Sequence, residues 1–413
     1  MNRSGLKVAI VHDWLIGGGA ELVVEQLHKL YPDAPIYTSY CTDEWRQRLD
    51  NKVVTGWLQH LGRVRKFIPF LRIWWFQSLK FDNFDLVISS SGAEAKGIKV
   101  GRTRSKRPLD LPAALGAGEH RKGAVQSGTV SAERSLQQRD TGKARWPLHI
   151  NYCHAPTHYY WSRYDEYMAQ PGFGKLDFLA RFGLKLLVAP LRRWDYKAAQ
   201  RPDYIIANST HIQQEIEKYY GRNSVVVCPP VNSERFSKPA NQNLSRSGFL
   251  ISGRQTPYKR FDLAVQACTE LGLPLKVIGT GPDASRLQKL AGPTVTFLGP
   301  VADAQQEVEF ASAQAFIFPG LDDFGISPVE ALAAGTPVIA YEAGGALDYV
   351  VSGKTGEFFG EQTVDSLVQA LKSFKPAAYG QTELRTKAAE FTPEVFRQKI
   401  QKILSNQLAT RAS

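Results

Sequence analysis

The stretch "QAFIFPGLDDFGISPVEALAAGTPVIAYE", residues 314 to 342, holds the unit of sequence that decides the fold. It begins with a short apolar run, passes through a loop with two aspartates, continues as a helical pattern and ends in a second apolar run. A strand, a helix and a strand in this order are typical of a right-handed crossover between parallel strands. The stretch therefore predicts an α/β fold built on a parallel sheet.

The loop and the helix start inside this stretch allow two interpretations. Ser327 suits an N-cap, Pro328 suits the first helical position, and Glu330 stands three residues after the serine, which is the spacing of a capping box. The second interpretation is chemical, because Asp322 and Glu330 could reach the two ends of one ligand. The sequence leaves both open.

The same alternation of strand and helix runs through both halves of the chain. The strands expected in the first half are "LKVAIVHDW", "FDLVISSS", "LHINYCHAP" and "PDYIIANS", and those in the second half begin with "GFLISGR", "LPLKVIGTG" and "VTFLG". We expect two doubly wound, Rossmann-like domains that face a central cleft, with ligands at the carboxyl ends of the strands. The predicted domains are residues 1–235 and 245–385, and residues 386–413 are predicted to form a helix that packs back on the first domain.

The net charge of +12 is concentrated in two segments. Residues 101–147 hold ten Lys or Arg and four acids, and residues 57–81 hold five Lys or Arg and no acid. The polar, aperiodic composition of residues 101–147 predicts a flexible, basic insertion in the first domain. Such a local excess of charge disfavours a general nucleic-acid-binding surface, and no known DNA- or RNA-binding module is recognisable.

Residues 63–81, "RVRKFIPFLRIWWFQSLKF", mix cations with aromatic side chains. One interpretation is a helix that faces the core and leaves its cations in water. The other, which we favour, is peripheral docking on an anionic membrane, where a lipid-linked acceptor would be found. Pro69 is expected to break any helix in this stretch and to leave a short amphipathic piece.

The cysteines and the N-terminus predict the compartment. Cys41, Cys153, Cys228 and Cys268 are far apart and form no CxxC pair, which favours a reducing compartment and disfavours a structural zinc site. The first residues lack the long apolar segment of a signal peptide. We expect a cytoplasmic protein, with contact to the inner face of the plasma membrane.

Candidate ligand-binding residues follow several of the predicted strands. Gly17, Gly18 and Gly19 follow the first strand and open a helix, where backbone N–H groups could meet a phosphate or form a plain tight turn. In "GRQTPYKR", Arg254 and Lys259 suit the two phosphates of a diphosphate, although surface cations are usually just solvated.

A further candidate stretch, "YCHAPTHYYW", holds His154 and His158 with a proline between them. Without a neighbouring acid or cysteine, the pair is a poor metal site. A histidine that contacts a sugar hydroxyl, or one with a structural role, fits this stretch better.

A family resemblance rests on these and neighbouring stretches taken in order, namely "GGGAE", "YCHAP", "ANST", "GRQTPYKR", "DDFGISPVEALAAGTPVIA" and "GGALDYVVSGKTGEFF". Together they resemble the retaining glycosyltransferases of family GT4, which have the GT-B fold. Three further stretches, "SSSGAEAKGI", "CHAPTHYYW" and "RRWDYKAAQRPDYIIANS", are similar to bacterial mannosyltransferases of O-antigen and exopolysaccharide assembly. The resemblance covers nearly all of the chain except the insertion.

The resemblance implies a role for each matching residue. Gly18 and Gly19 would face the diphosphate or the transferred sugar, Arg254 and Lys259 would hold the diphosphate, and Glu330 would bind the ribose. Asp322 and His154 would contact the sugar, and the backbone of Gly325 and Ile326 would lie close to the sugar and phosphate. Asp323 and Phe324 complete the expected donor-binding set.

The implied reaction is transfer of a sugar with retention, without metal or cofactor. The donor would be a nucleotide sugar, with GDP-mannose favoured, and the acceptor a glycan or a lipid-linked glycan in cell-surface polysaccharide biosynthesis. Two departures from the family pattern stand out. The family usually has Glu where Asp322 stands, so Asp323 could take its role, and His158 stands where relatives often have Arg.

Two other functions remain compatible with the sequence. A GT-B-fold epimerase would turn over a nucleotide sugar without an acceptor. A basic polyanion-binding protein would lose that binding when residues 101–147 are deleted.

Overall fold

The structure is a computed structural model of the chain. It describes residues 5–61, 69–101, 146–169, 177–238 and 244–412. The predicted basic insertion, apart from its ends, lies outside the described residues, and so does the segment with Arg63, Arg65 and Lys66.

The N-terminal domain contains a seven-stranded parallel sheet in the order β3-β2-β1-β4-β5-β6-β7. Its strands are β1 (Val8–His12), β2 (Ile36–Thr38), β3 (Val53–Thr55), β4 (Leu86–Ser90), β5 (Leu148–Cys153), β6 (Tyr204–Ala207) and β7 (Val225–Val226). Strands β1, β4 and β5 are buried along their whole length. Helices cover both faces of such a sheet, which explains why these strands read as continuous apolar runs.

The C-terminal domain repeats this architecture with six parallel strands in the order β10-β9-β8-β11-β12-β13. The strands are β8 (Phe249–Ser252), β9 (Leu275–Ile278), β10 (Val295–Gly299), β11 (Ala315–Phe318), β12 (Val338–Tyr341) and β13 (Gly356–Phe359). This is the 3-2-1-4-5-6 order of a doubly wound fold, whose ligands lie where the strand order reverses. The stretch that opened the sequence analysis forms β11, one helix and β12.

The helices connect successive strands and pack on the two sheets. In the N-terminal domain they are α1 (Gly19–Leu30), α2 (Asp43–Arg48), α3 (Pro69–Ser78), α4 (Tyr164–Ala169), α5 (Asp177–Ala199) and α6 (Thr210–Tyr220). The later helices are α7 (Phe261–Leu271), α8 (Ala284–Leu290), α9 (Asp303–Ser312), α10 (Ile326–Ala333), α11 (Val364–Ser373), α12 (Gln381–Ala389) and α13 (Pro393–Ala412). None of the helices in the described ranges is both long enough and apolar enough to cross a membrane.

The last helix of the chain returns to the N-terminal domain. Phe396, Ile400 and Leu404 of α13 share one core cluster with Val23 and Leu27 of α1. The return begins at Pro393 and not at residue 386, because α12 stays on the C-terminal domain, where Leu384 and Ala388 are buried in its core.

Helix α3 corresponds to the short amphipathic piece that the sequence predicts at Pro69. Pro69 is the first residue of α3, a position where its missing N–H costs nothing. One face of the helix, with Trp75 and Phe76, is buried in the core as the first interpretation of this stretch predicted. The opposite face leaves Phe70 and Trp74 exposed.

Candidate active site

The Gly-rich turn after β1 closes against the other domain. The buried Glu21 carboxylate accepts hydrogen bonds from the backbone N–H groups of Ile16, at 3.2 Å, and Gly17, at 3.1 Å. A Cβ atom on Gly19 would lie 2.4 Å from Cδ1 of Ile326 at the start of α10. Glycine therefore allows the two domains to approach at this point. Gly18 is exposed beside it.

A second loop of the N-terminal domain, after β4, is fixed by Asp13. One carboxylate oxygen of this buried aspartate accepts from the Ser91 hydroxyl at 2.7 Å, and the other accepts from the Ala95 N–H at 2.8 Å. The loops after β1 and β4 meet at the point where the strand order reverses, so Asp13 joins the two sides of that crevice. Asp13 is not predictable from the local sequence, because its partners lie about 80 residues away along the chain.

His154 follows β5 and is half-buried at the same edge of the sheet. Its Nε2 lies 2.8 Å from the Ser90 hydroxyl, and its ring meets the ring of His12 edge-on at 6.0 Å. Burial, reinforced by the neighbouring His12, lowers the pKa of His154 to about 3. The imidazole is therefore neutral near pH 7 and suits a hydrogen bond to an uncharged hydroxyl.

The loop that carries His154 and His158 is held from behind by an ion pair between Lys96 and Asp195. The ammonium and carboxylate lie 2.6 Å apart, and both side chains are 0% exposed. Asp195 also accepts from Trp161 Nε1 at 2.8 Å, from the Tyr220 hydroxyl at 2.7 Å and from the Thr157 hydroxyl at 3.0 Å. These contacts join the three stretches that resemble mannosyltransferases into one buried network.

On the C-terminal side, Lys259 and Asp322 form an ion pair. Lys259 Nζ lies 2.7 Å from Asp322 Oδ2, and both side chains are partly exposed. Burial opposes the charge on Lys259, but the Asp322 carboxylate outweighs it and raises the lysine pKa. The pair places a cation and an anion together near the strand ends.

Asp323 turns the other way, toward the N-terminal domain. Its Oδ2 lies 2.9 Å from Nε2 of His158, and Arg163 donates to the Leu321 carbonyl at 2.8 Å. Burial disfavours the Asp323 carboxylate, but His158 outweighs it and lowers the aspartate pKa. Burial likewise opposes protonation of His158, and Asp323 outweighs it and raises the histidine pKa. The two aspartates are thus separated, Asp322 on Lys259 and Asp323 on His158.

The loop between these aspartates and α10 depends on two glycines. Gly325 has φ +86°, and a Cβ atom there would lie 2.6 Å from Phe318 and 2.8 Å from the Tyr349 hydroxyl. Gly345 donates to the Asp322 carbonyl at 2.9 Å. The Phe324 side chain packs against Tyr349 in the core, so only its backbone is left for a donor contact.

The predicted capping box is wrong. Helix α10 begins at Ile326 with Gly325 as its N-cap, and no side chain caps it. The positive φ of Gly325 turns the chain into the helix two residues before Ser327. Ser327 and Pro328 therefore lie inside the first turn, where the missing N–H of proline is tolerated, and Glu330 lies in the second turn.

Because the capping box does not form, the Glu330 side chain has no structural partner in the described residues. The side chain is half-buried, and no hydrogen bond or ion pair to it is present in the described ranges. Burial raises the pKa of Glu330 to about 7, although Arg235 nearby opposes this shift. A carboxylate held out of water with unused acceptor capacity is suited to accept from a ligand's hydroxyl groups.

Arg254 stands apart from the other predicted residues. It is exposed after β8, and within the described part of the chain its guanidinium makes no hydrogen bond or ion pair. Neither Arg254 nor Glu330 bonds directly to Lys259 or Asp322 in this structure. In the described ranges, no group of three His, Cys, Asp or Glu side chains is placed to hold a metal ion.

Comparison with known proteins finds a family model that matches the C-terminal domain. Residues 231–394 match the family model described as "Glycosyl transferases group 1". The C-terminal domain is therefore similar to the group 1 glycosyl transferases, and the resemblance noted in the sequence is confirmed.

Curated relatives match over part of their length. A D-inositol 3-phosphate glycosyltransferase of Streptomyces avermitilis is 32% identical over 187 residues, which are 37% of this chain and 40% of that protein. A GDP-mannose-dependent alpha-mannosyltransferase of Mycolicibacterium smegmatis is 39% identical over 111 residues, 26% of this chain and 28% of that protein. The matched region thus spans less than half of these relatives.

Solved structures confirm the predicted fold over the whole chain. HepE of Anabaena, solved in complex with UDP, aligns with a TM-score of 0.62 at 16% identity and covers 97% of this chain and 100% of that one. Sucrose-phosphate synthase of Thermosynechococcus elongatus also gives 0.62 at 16% identity, over 99% and 100% of the two chains. The molecule has the GT-B fold, two Rossmann-like domains around a cleft.

Proposed function

We propose that the chain is a retaining glycosyltransferase that transfers a sugar from a nucleotide-sugar donor to a glycan or lipid-linked acceptor. Mannose from GDP-mannose is the favoured donor, and cell-surface polysaccharide biosynthesis is the proposed role. The relative from M. smegmatis, named as GDP-mannose-dependent, supports the donor, and the three mannosyltransferase-like stretches of the N-terminal domain support the sugar.

The observation that carries the proposal is the unpartnered Glu330 carboxylate at the start of α10. In the proposed complex it accepts hydrogen bonds from both ribose hydroxyls of the donor. Burial raises its pKa to about 7, so hydrogen bonds from a ligand would favour the charged form. A sugar nucleotide does so, because a ribose presents two adjacent donors.

The diphosphate would lie between Lys259 and the exposed Arg254. Lys259 uses Asp322 as its anion in this structure, and a diphosphate brings two further anionic groups to the same ammonium. Arg254 has its whole guanidinium available for a bidentate contact. The two cations would stabilise the negative charge that develops as the diphosphate departs.

The sugar would lie between the domains, near Asp322 and His154. Asp322 keeps one carboxylate oxygen, Oδ1, for a sugar hydroxyl while the other holds Lys259. The neutral imidazole of His154 meets the sugar from the N-terminal side. Asp323 is engaged by His158, so we assign the sugar-contacting role to Asp322.

In the proposed reaction, the bond between the anomeric carbon and the diphosphate oxygen breaks. A bond from the acceptor oxygen to the same carbon forms on the same face of the sugar. The hydroxyl proton of the acceptor passes to the departing diphosphate, which leaves with the bonding electrons. The closed approach of Gly19 to Ile326 would keep water away from the reacting carbon.

A comparison of donors tests the proposal. GDP-mannose, GDP-glucose, UDP-glucose and UDP-N-acetylglucosamine are each titrated into the full chain by calorimetry, and GDP-mannose is expected to bind most tightly. A ligand at 100 times its Kd should also stabilise the fold by about 2.7 kcal/mol. If none of the sugar nucleotides binds, the proposed function is wrong.

Incubation of the tightest donor without an acceptor separates transfer from epimerisation. A transferase should leave the configuration of the sugar unchanged and should at most hydrolyse the donor slowly. Formation of an epimeric nucleotide sugar, followed by NMR of the anomeric and ring protons, would favour the epimerase.

A further inference from the structure

The first half of α5 exposes a row of large apolar side chains. Phe178, Phe182 and Leu186 follow each other at intervals of four residues and are 65%, 68% and 65% exposed, and Leu179 beside them is 53% exposed. Residues four apart lie on one face of a helix. Since isolated apolar side chains are common on protein surfaces but contiguous rows are not, this row indicates a contact surface.

The opposite face of α5 anchors the helix to the domain. Val188 and Leu191 are buried, and Asp195 forms the buried ion pair with Lys96. None of the described side chains between residues 177 and 187 is buried. The helix is thus fixed at its second half and presents its first half outward.

The charges around the row are positive. Arg181 and Lys185 are exposed beside it, and Arg193 and Lys197 are exposed farther along the helix. The acids of α5 are Asp177 in the first turn and the buried Asp195. An apolar row bordered by cations is typical of a helix that lies in the interface of a membrane.

The neighbouring α4 carries Asp165 and Glu166, but both stand in its first turn. Its contact with α5 is at the other end, where Arg181 donates to the carbonyl of Ala169 at 2.8 Å. These acids therefore do not reverse the positive charge along α5.

We propose that this α5 face, defined by Phe178, Leu179, Phe182, Leu186, Arg181 and Lys185, docks on a bilayer that contains anionic lipid. The inference rests on the proposed function, since a lipid-linked acceptor would be presented at such a surface. A second copy of the chain is a poorer occupant, because pairing two α5 faces would bring like charges together. Anionic headgroups, by contrast, complement the cations while the apolar row enters the acyl boundary.

Helix α3 shares a core cluster with the anchored second half of α5. Ile73 of α3 and Leu191 of α5 belong to this cluster, and the ring centroids of the exposed Trp74 of α3 and of Trp57 lie 5.9 Å apart in a tilted arrangement. The sequence pointed to this region as the membrane contact. Four large apolar side chains of α5 are more than half exposed, against Trp74 on α3, and Arg181 and Lys185 lie beside the α5 row, so the proposal assigns the contact to α5.

Co-sedimentation with vesicles tests the proposal on the full chain. Wild type should bind vesicles of phosphatidylcholine with 30% phosphatidylglycerol and bind pure phosphatidylcholine weakly. Phe182→Ser with Leu186→Ser should reduce binding by at least about tenfold, since each change removes a large apolar side chain from the interface. The matched control is Leu347→Ser with Val351→Ser, an exposed apolar pair four residues apart on the C-terminal domain, which should bind normally.

A second pair of variants tests the charge. Lys185→Gln with Arg193→Gln should reduce binding roughly 25-fold, about fivefold for each cation, and make it less sensitive to salt. Lys354→Gln with Lys375→Gln, exposed cations of the other domain, is the control.

Three outcomes would overturn the assignment to α5. The first is that the α5 variants bind vesicles as well as wild type does. The second is that the single change Trp74→Ser abolishes vesicle binding. The third is that wild type sediments as a dimer whereas the Phe182→Ser, Leu186→Ser variant sediments as a monomer. Donor binding is measured on every variant and should stay within about twofold of wild type. If wild type binds the donor normally but does not bind vesicles, only the proposed membrane surface is rejected. If wild type does not bind the donor, the proposed function is rejected.

Discussion

Each domain contributes one lysine–aspartate ion pair to the region of the cleft, and the two pairs have similar lengths but different surroundings. Lys96 and Asp195 lie 2.6 Å apart with no exposed surface, whereas Lys259 and Asp322 lie 2.7 Å apart and remain partly exposed. The three ammonium protons of Lys96 have three acceptors, because it also donates to the Gly92 carbonyl at 2.8 Å and to a threonine hydroxyl. No such set of further acceptors surrounds Lys259 in the described residues.

The difference in burial indicates that one ion pair supports the fold and the other is able to bind a ligand. A buried ion pair whose hydrogen-bonding capacity is fully used can only hold its neighbours in place, and it stabilises the fold only while both partners remain. A partly exposed pair with capacity to spare can accept a third charged group. We therefore interpret Lys96 and Asp195 as the support of the histidine loop, and Lys259 and Asp322 as part of the donor site.

The largest expected effect comes from breaking the saturated pair. Lys96→Met leaves the Asp195 carboxylate buried without its cation and should cost about 3–5 kcal/mol of unfolding free energy. Chemical denaturation measures this loss. Lys276→Met is the control, since Lys276 pairs with Glu309 at the surface and should contribute at most about 1 kcal/mol. Equal, small losses in both variants would contradict the structural role of the buried pair.

The second prediction concerns the unsaturated pair. Lys259→Ala removes charge stabilisation from the leaving diphosphate and should lower kcat roughly 10²- to 10³-fold. Stability should change much less than in Lys96→Met, because Lys259 is partly exposed. Arg254→Ala tests the second cation in the same assay and should also lower turnover by roughly 10²-fold or more. Near-normal turnover in both variants would remove the diphosphate site from this position.

These two pairs also show what the sequence could predict. Lys259 and Asp322 were found because each follows a predicted strand of a parallel sheet, and the carboxyl ends of such strands converge. The fold was predictable for the same reason, since fully apolar runs alternated with helical patterns. Lys96 and Asp195 are 99 residues apart and lie within helical segments, so nothing local indicated that they meet. The short strands β2, β3 and β7 carried too few apolar residues to be predicted.

The third prediction addresses the unpartnered Glu330. Glu330→Gln replaces one acceptor oxygen with a donor, and donor affinity should fall by about 1.5–3 kcal/mol, the value of hydrogen bonds to a charged group. Since the carboxylate is half-buried and has no partner in the described part of the chain, the variant should be as stable as wild type or more so. Calorimetry and thermal unfolding measure the two effects. Unchanged donor affinity would show that the ribose is bound elsewhere.

The fourth prediction follows from the pKa of about 7 that burial gives Glu330. A raised carboxyl pKa means that the folded state binds the proton more tightly than the unfolded state, so this group's contribution to stability declines as pH rises from about 4.5 to 7. Binding of ribose hydroxyls needs the ionised form. As pH rises toward 7, donor affinity should therefore increase by up to about tenfold per pH unit, and above pH 7 it should level off.

Titration of Glu330→Gln with the same donor is the control for this pH dependence. The variant has no carboxyl group at this position, so its affinity should vary much less between pH 5 and 7. A pH profile identical to that of wild type would assign the titration to another group, such as His158.

The smallest effect is expected at Ser327, and it tests how the two domains begin their cleft-facing helices. In the N-terminal domain the Ser209 hydroxyl accepts from the Ile212 N–H at 3.1 Å and caps α6. In the C-terminal domain Gly325 takes the cap position, and the Ser327 side chain caps nothing. Ser209→Ala should therefore cost about 1–2 kcal/mol of unfolding free energy, whereas Ser327→Ala should cost less than about 0.5 kcal/mol. Donor affinity of Ser327→Ala should be unchanged, because Gly325 and not the serine sets the direction of α10. A loss near 1 kcal/mol in Ser327→Ala would mean that the helix begins two residues later in solution, and it would restore the capping box that the sequence predicted.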